Sequence, residues 1–354
     1  MEQFTSFSGR KRQLAGNTVR KADFDEIPTI SLRAPEERII EQLRDACTRV
    51  GFFYIKDHDV PQGTIDQIFA TAKEFFDQPL DTKSEIHYKK SSILRGYEPM
   101  AEVRTDETKK ADLNEAFNCG YEADLDPTQD NEAREESKDA ANETPMQGPN
   151  AWPSMPGFKD SVAAYYGEVL TLARRMVRLF AKVLELPADH FDKSVSKPGA
   201  MLRLLKYPVQ DPSQPDALGI GAHTDIEAFT ILCQGSQPAL QILNAEGQWI
   251  QAPPVPGTFV VNIGDMLSRW SNDVFISTVH RVHASCERYS IPFFFGPSYD
   301  TVLHPLPTCV GETGEAAYEP IVAGDYVWQR LARSRLSKEE AESKSFVQAP
   351  AAAA

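Results

Sequence analysis

The sequence predicts an α+β protein in which short antiparallel strands form a core that helices back. Two observations predict this class. One is a long helical pattern in the middle of the chain; the other is the hundred or so residues after it, where short β-rich runs alternate with Gly, Pro, Asn and Asp. Many short strands at this spacing are typical of an antiparallel barrel or a double-sheet jelly roll. With 354 residues and 41% apolar side chains, the chain can bury a substantial core.

The N-terminal half opens with alternating strands and helices. Ile27–Leu32 reads as a short strand, and residues 35–50 carry apolar side chains at helical spacing up to Gly51. Phe52–Ile55 is compact and apolar, as expected for a buried strand, and Ile65–Phe76 has one apolar helical face. A strand, helix, strand, helix order is therefore expected.

We expect one domain over residues 27–335, between a polar N-terminal tail (1–26) and a disordered C-terminal tail (337–354). Its parts are, in chain order, an N-terminal α/β part (27–157) with an acidic insertion (122–149), a long scaffold helix (158–187) that Pro187 stops, a strand-rich core (198–305), and a C-terminal segment with a helix (306–336).

Charge and cysteine usage exclude several classes of protein. The formal net charge of −14 would repel a phosphate backbone, so no nucleic-acid partner is expected. The five cysteines are scattered and odd in number, which favours reduced thiols in a cytoplasmic protein. No signal pattern or membrane-spanning apolar stretch is visible, so we expect a soluble protein, with a monomer as the default.

The most informative motif is a candidate metal site. His223 and Asp225 form an HxD pair, and His280 follows 55 positions later (280 − 225). Residues i and i+2 on a strand face the same side, so the pair can reach one ion. Two imidazoles and one carboxylate form the facial triad that suits Fe(II), because three positions on the metal stay open. An HxD pair alone is a weak signal, and it gains value from what accompanies it.

The accompanying feature is a cation in an apolar strand. Arg288 and Ser290 precede the run Ile291–Phe295, so the guanidinium is set among apolar neighbours and needs a fixed anion. Its planar fork fits a carboxylate, and Ser290 faces the same way and can donate a further hydrogen bond. An outward-facing arginine on an edge strand is the alternative, which the nearby triad disfavours.

At this point the chain resembles the iron(II) and 2-oxoglutarate-dependent dioxygenases of the isopenicillin N synthase-like family, over roughly residues 27–335. The motifs that carry the resemblance are, beside the HxD, His280 and the Arg-x-Ser, the segments Gly51-Phe52-Phe53, His58 with Pro61, Arg95-Gly96-Tyr97, Trp152-Pro153 and Asn262-Ile263-Gly264-Asp265. The resemblance implies a double-stranded β-helix (jelly-roll) core over 198–305, backed by helices, with iron in its mouth.

The resemblance also implies the cofactors and the reaction. Fe(II) would be held by the triad, with no catalytic residue beyond the metal centre, and O₂ and 2-oxoglutarate would be co-substrates. The far carboxylate of 2-oxoglutarate would meet Arg288 and Ser290, with help from Tyr207 on the preceding strand. A small organic molecule would be hydroxylated, or desaturated, with release of succinate and CO₂, as in specialised-metabolite biosynthesis.

Three residues are candidates for contacting the substrate. Arg203 lies where some relatives direct a cation at the substrate, Phe294 matches a position where relatives stack an aromatic ring, and Tyr97 is a weaker candidate. Core packing is an equally good account of Phe294.

Three other functions remain open at this stage. One is an oxidase of the same fold that uses iron and O₂ without 2-oxoglutarate, and another is a catalytically silent barrel that binds a small molecule. The third is a zinc hydrolase with the same ligands, although the chain has no HExxH helix.

Overall fold

The structure is a computed structural model that describes residues 2–5, 9–22, 26–105, 110–130, 146–210, 218–311, 314–337 and 339–340. The strands are β1 (Glu2–Thr5), β2 (Lys11–Leu14), β3 (Val19–Lys21), β4 (Thr29–Ser31), β5 (Phe52–Lys56), β6 (Gly96–Glu98), β7 (Glu115–Gly120), β8 (Met201–Tyr207), β9 (Ile220–His223), β10 (Phe229–Cys233), β11 (Leu240–Leu243), β12 (Trp249–Gln251), β13 (Thr258–Ile263), β14 (His280–Val282), β15 (Arg288–Phe295), β16 (Val302–Leu303) and β17 (Ile321–Val322). The helices are α1 (Glu36–Asp45), α2 (Gln62–Phe76), α3 (Leu80–Ser84), α4 (Phe158–Val183), α5 (Asp265–Trp270) and α6 (Ala323–Arg335).

Two large sheets form the core. The major sheet has the strand order β4-β5-β13-β10-β15-β8-β7-β6, and the minor sheet has the order β3-β12-β11-β14-β9. Neighbouring strands are antiparallel except in the pairs β4–β5 and β3–β12. The α+β class and the jelly-roll core predicted from the sequence are confirmed.

Alternation along β8 separates the two faces of the major sheet. Leu202 and Leu204 join the large apolar core on the helix side, whereas Leu205 and Tyr207 belong to a separate buried cluster with Val282 of the minor sheet. Successive strand residues point to opposite faces, so one strand serves both the helix-packed core and the space between the sheets.

The long helix α4 backs the major sheet. Its Tyr166 ring meets Phe293 edge-on at 5.0 Å, and its Phe180 ring meets Phe229 at 5.1 Å. At about 1.5 Å per residue its 26 residues span about 39 Å, long enough to cross the sheet. The helix ends at Val183, a few residues before the predicted stop at Pro187, and Glu185 adopts a positive φ of 61° in between.

The N-terminal residues differ from the polar tail predicted for 1–26. β1 pairs with β2, and β3 adds a parallel strand to the minor sheet, with Val19 opposite Trp249. An edge strand is held by backbone hydrogen bonds, so it needs no apolar periodicity that a sequence pattern could reveal.

The structure describes the predicted acidic insertion and C-terminal tail only in part, and it contains the predicted C-terminal helix. Most of the acidic insertion (122–149) and of the C-terminal tail (337–354) lies outside the described residues. The helix expected within residues 306–336 is present as α6 (Ala323–Arg335). No helix in the described ranges combines the length and apolar character that a membrane span requires.

Candidate metal and co-substrate site

The three predicted metal ligands converge at the edge of the minor sheet. His223 ends β9 and His280 begins β14, and the two residues lie directly opposite each other in the strand pair. Asp225 follows just beyond β9, and the Nε2 atom of each histidine lies 3.6 Å from its Oδ1 atom. Within the described ranges, these three residues are the one cluster of His, Cys, Asp or Glu side chains close enough together to hold a metal ion.

Backbone carbonyls fix the orientation of both imidazoles. The Nδ1 atom of His223 donates to the carbonyl of Gly221 at 2.8 Å, and that of His280 donates to the carbonyl of Thr278 at 3.2 Å. Both Nε2 atoms are therefore the unprotonated ones and keep their lone pairs for a metal. Burial and the neighbouring His223 lower the pKa of His280 to about 4, which keeps this ring neutral at physiological pH.

The carboxylate is oriented in the same way. Oδ2 of Asp225 accepts hydrogen bonds from the Thr230 hydroxyl at 2.5 Å and from the Asn262 amide at 2.6 Å, so Oδ1 remains for a metal. Burial alone would raise the pKa of Asp225, but His280, His223 and the Asn262 hydrogen bond outweigh it and hold the pKa well below its usual range. The donor set, one anionic oxygen and two neutral nitrogens on one side, fits Fe(II).

Arg288 presents an unsatisfied cation inside the protein. The residue is 2% exposed, and its Nε and Nη1 atoms have no hydrogen-bond partner among the described residues. Its guanidinium lies 4.9 Å from the centre of the Tyr207 ring, directly across the β8–β15 pair. Gly219 packs against that ring, and a Cβ there would lie 2.7 Å from it. Burial lowers the pKa of Arg288, and a bound carboxylate would supply the missing partner.

One cavity joins the metal ligands to this cation. Its lining includes the triad together with Arg288, Ser290 and Tyr207, and also the predicted substrate residues Arg203 and Phe294. Ser290 is buried two residues along from Arg288, on the same face of β15. The structure therefore brings together every predicted site residue except Tyr97.

Tyr97 does not line the cavity, which corrects its candidacy as a substrate residue. Its hydroxyl donates to Glu115 at 2.6 Å, and the Lys83 ammonium lies 5.2 Å from its ring centre. Its neighbour on β6, Glu98, instead accepts a hydrogen bond from the cavity residue Arg203. Adjacent strand residues face opposite ways, so only one of Tyr97 and Glu98 can point towards the cavity side of the sheet.

Several cavity residues were missed by sequence reasoning. Glu227, Arg330 and Arg335 line the cavity, the last two from α6. Glu227 had a signal, because a carboxylate stands in the otherwise apolar run Ile226–Phe229. Burial and the charge of Asp225 raise the pKa of Glu227 to about 7. Arg330 and Arg335 had no such sequence signal, because nothing local in the sequence indicates that α6 covers the cavity.

Comparison with known families decides the identity. The family model described as the 2OG-Fe(II) oxygenase superfamily matches residues 198–297, and the model described as non-haem dioxygenase in morphine synthesis N-terminal matches residues 27–155. The chain belongs to the 2OG-Fe(II) oxygenase superfamily. This oxygenase is an oxidoreductase whose cofactors are Fe(II) and 2-oxoglutarate, with O₂ as oxidant.

Individual relatives are similar to this chain over most of its length. The 2-oxoglutarate-Fe(II) type oxidoreductase ppzC of Metarhizium majus is 36% identical over 341 residues, 90% of each chain. The Homoarginine-6-hydroxylase 2-ODD-233 of Oryza sativa subsp. japonica is 34% identical over 303 residues, 83% of this chain and 88% of that one.

A solved structure also matches the oxygenase. A full-length protein of Neurospora crassa, crystallised in complex with alpha-KG, superposes with a TM-score of 0.75 at 28% identity, over 88% of this chain and 98% of that one. A further structure of the same Neurospora crassa protein contains alpha-KG and thymine.

Proposed function

We propose that His223, Asp225 and His280 hold Fe(II) and that Arg288, with Ser290 and Tyr207, holds the far carboxylate of 2-oxoglutarate. The observation that carries the second assignment is the buried guanidinium of Arg288. Two of its nitrogen atoms, Nε and Nη1, have no hydrogen-bond acceptor among the described residues. Such a group costs folding free energy unless an anion binds it. An oxidase that bound no 2-oxoglutarate would have no use for this cation, so the feature also argues against that alternative.

When bound, iron and 2-oxoglutarate supply the oxidation of a substrate C–H bond by O₂, with release of succinate and CO₂. The side chains of this protein orient the participants and exclude water. Arg288 fixes the distal end of the co-substrate, and Asn262 and Thr230 hold Asp225 so that one oxygen faces the metal. Apolar lining residues such as Leu205 and Leu232 keep water out of the cavity.

The substrate is a small organic molecule, which we propose is hydroxylated in the oxidative tailoring of a specialised metabolite. The support is a cavity with mixed apolar and charged lining, and the range of small molecules in the names of the relatives. We also propose that the protein acts in the cytoplasm, supported by the absence of a disulfide: its five cysteines are free. The monomeric state remains a prediction.

An anaerobic titration tests the site assignment. Metal-free protein receives Fe(II) and then 2-oxoglutarate, and the visible charge-transfer absorption of the chelated ketoacid is recorded. We expect the band in the wild type and its loss, with loss of bound iron, in His280→Ala. His190→Ala, at an exposed histidine, is the matched control and should keep both. Wild-type iron content in His280→Ala would show that the ligand assignment is wrong.

A further inference from the structure

Two cavity arginines share one carboxylate. Glu98, 1% exposed, accepts from Nη2 of Arg203 at 2.8 Å and from Nε of Arg335 at 2.6 Å. Arg203 comes from β8 and Arg335 from the last turn of α6, and both line the cavity, whereas Glu98 lies behind them. The single negative charge of Glu98 is thus shared by two positive charges. In addition, the Nε atom of Arg203 is buried without a hydrogen-bond partner among the described residues. This wall keeps a surplus of positive charge and donors.

A buried carboxyl group in the same cavity has no partner on another described residue. Glu227 is 3% exposed, and no other residue of the described ranges donates a hydrogen bond to its carboxylate. It lines the same cavity as Arg203 and Arg335, yet both arginines form their ion pairs with Glu98. Because Glu227 and both guanidiniums line one cavity without pairing with each other, a ligand in that cavity can contact the acid and the guanidiniums together.

We propose that this end of the cavity binds the ammonium and carboxylate groups of an amino-acid-type substrate. The ammonium meets Glu227, and the carboxylate meets the guanidiniums of Arg203 and Arg335. A zwitterion satisfies the acid and the surplus donors together, whereas a simple anion or a simple cation satisfies only one of them. The inference rests on the proposed function, because the metal and co-substrate end of the cavity must be used as described.

The rest of the wall sets the kind of amino acid. Met201, Ile226, Phe294 and Leu331 line the same cavity and offer an apolar surface beside the charged groups. We therefore expect an apolar side chain on the amino acid, and L-leucine is a suitable probe.

Calorimetric titration of the protein loaded anaerobically with Fe(II) and saturating 2-oxoglutarate provides the test. The probes are L-leucine, 4-methylpentanoate, which lacks the nitrogen, and 3-methylbutylamine, which lacks the carboxylate. We expect L-leucine to bind at least about tenfold more tightly than either analogue, because each charge-assisted contact contributes about that factor or more.

Two variants separate the two contacts. Glu227→Gln should abolish the advantage of L-leucine over 4-methylpentanoate. Arg335→Met should reduce its advantage over 3-methylbutylamine, because Arg203 alone then contacts the carboxylate. Arg335→Met leaves Glu98 paired with Arg203, which favours a folded variant. If Arg335→Met nevertheless does not fold, Glu227→Gln still tests the proposal. Glu246→Gln, at an exposed turn, is the matched control and should keep both ratios.

The outcomes distinguish this inference from the proposed function. If the loaded wild type shows the 2-oxoglutarate band but L-leucine binds no better than its analogues, or does not bind, the amino-acid site is overturned and the cofactor assignment stands. An unchanged ratio in Glu227→Gln overturns the role of that residue in the same way. Absence of the band in the wild type contradicts the proposed function itself.

Discussion

Replacing Arg288 by Met should change two properties of the protein in opposite directions. The side chain is 2% exposed, its Nε and Nη1 atoms are unpaired among the described residues, and Met has a similar length without charge. Two charge-assisted hydrogen bonds to a carboxylate contribute about 1.5–3 kcal/mol each, so 2-oxoglutarate should lose about 3–6 kcal/mol of binding free energy. That loss corresponds to a dissociation constant roughly 10² to 10⁴ times larger.

The same change should leave the ligand-free protein at least as stable. Burying a charge costs several kcal/mol of desolvation free energy, and replacing buried ionic groups by apolar ones of similar volume stabilises folds by up to about 4 kcal/mol. The cation–π contact of Arg288 with Tyr207, worth about 1 kcal/mol, opposes this gain. We therefore expect the free energy of unfolding of metal-free Arg288→Met to equal that of the wild type or to exceed it by up to about 3 kcal/mol. If Arg288 only stabilised the fold, its replacement would lower the free energy of unfolding and leave the affinity for 2-oxoglutarate unchanged.

Two measurements decide the matter. Anaerobic titration with 2-oxoglutarate at saturating Fe(II) gives the affinity, and urea unfolding of the metal-free protein gives the stability. Arg38→Met, at an exposed arginine, is the control for loss of a positive charge. A 2-oxoglutarate affinity within about threefold of the wild type, or a stability loss above about 2 kcal/mol, would refute the reasoning from the buried unpaired cation.

Three further predictions follow from other contacts. Asn262→Ala removes one of the hydrogen bonds that orient Asp225, so Fe(II) affinity measured by anaerobic titration should fall about 10- to 100-fold; an unchanged affinity would contradict that orienting role. Burial alone would raise the pKa of Asp126, but Arg174 and neighbouring donors lower it from 3.8 to about 2, so the ionised form stabilises the fold by about 2 kcal/mol above pH 3.8. The stability gap between the wild type and Asp126→Asn, from urea unfolding across pH, should narrow as the pH falls from about 4 towards 2; a gap that widens would be inconsistent with the lowered pKa. Tyr97→Phe removes a buried hydrogen bond outside the cavity, so it should cost about 1 kcal/mol of stability in urea unfolding and leave substrate turnover unchanged; a large fall in turnover would return Tyr97 to the substrate site.

Elements with an internal apolar pattern were predictable, and elements held by backbone pairing were not. The apolar periodicity of α4 and of the strands was visible because each element must bury one face, and the pattern repeats within the element itself. The N-terminal strand β3 was invisible because its pairing uses backbone groups, which every residue carries. The end of α4 at Val183 depended on local backbone geometry that the position of Pro187 indicated only approximately.

The candidate triad and Arg288 were predicted from the sequence alone, because the HxD and the Arg-x-Ser are short local motifs and the family resemblance points to the distant His280. His223, Asp225 and His280 were named from an HxD and one distant histidine, and the strand register then placed the two histidines opposite each other. The tertiary structure alone decided which residues complete the cavity. Arg335 reaches it from a helix more than a hundred residues downstream of β8, and on β6 the choice between Tyr97 and Glu98 depends on which face of the major sheet looks into the cavity. Contacts between distant elements follow from how the layers pack, and no periodicity within either element encodes them.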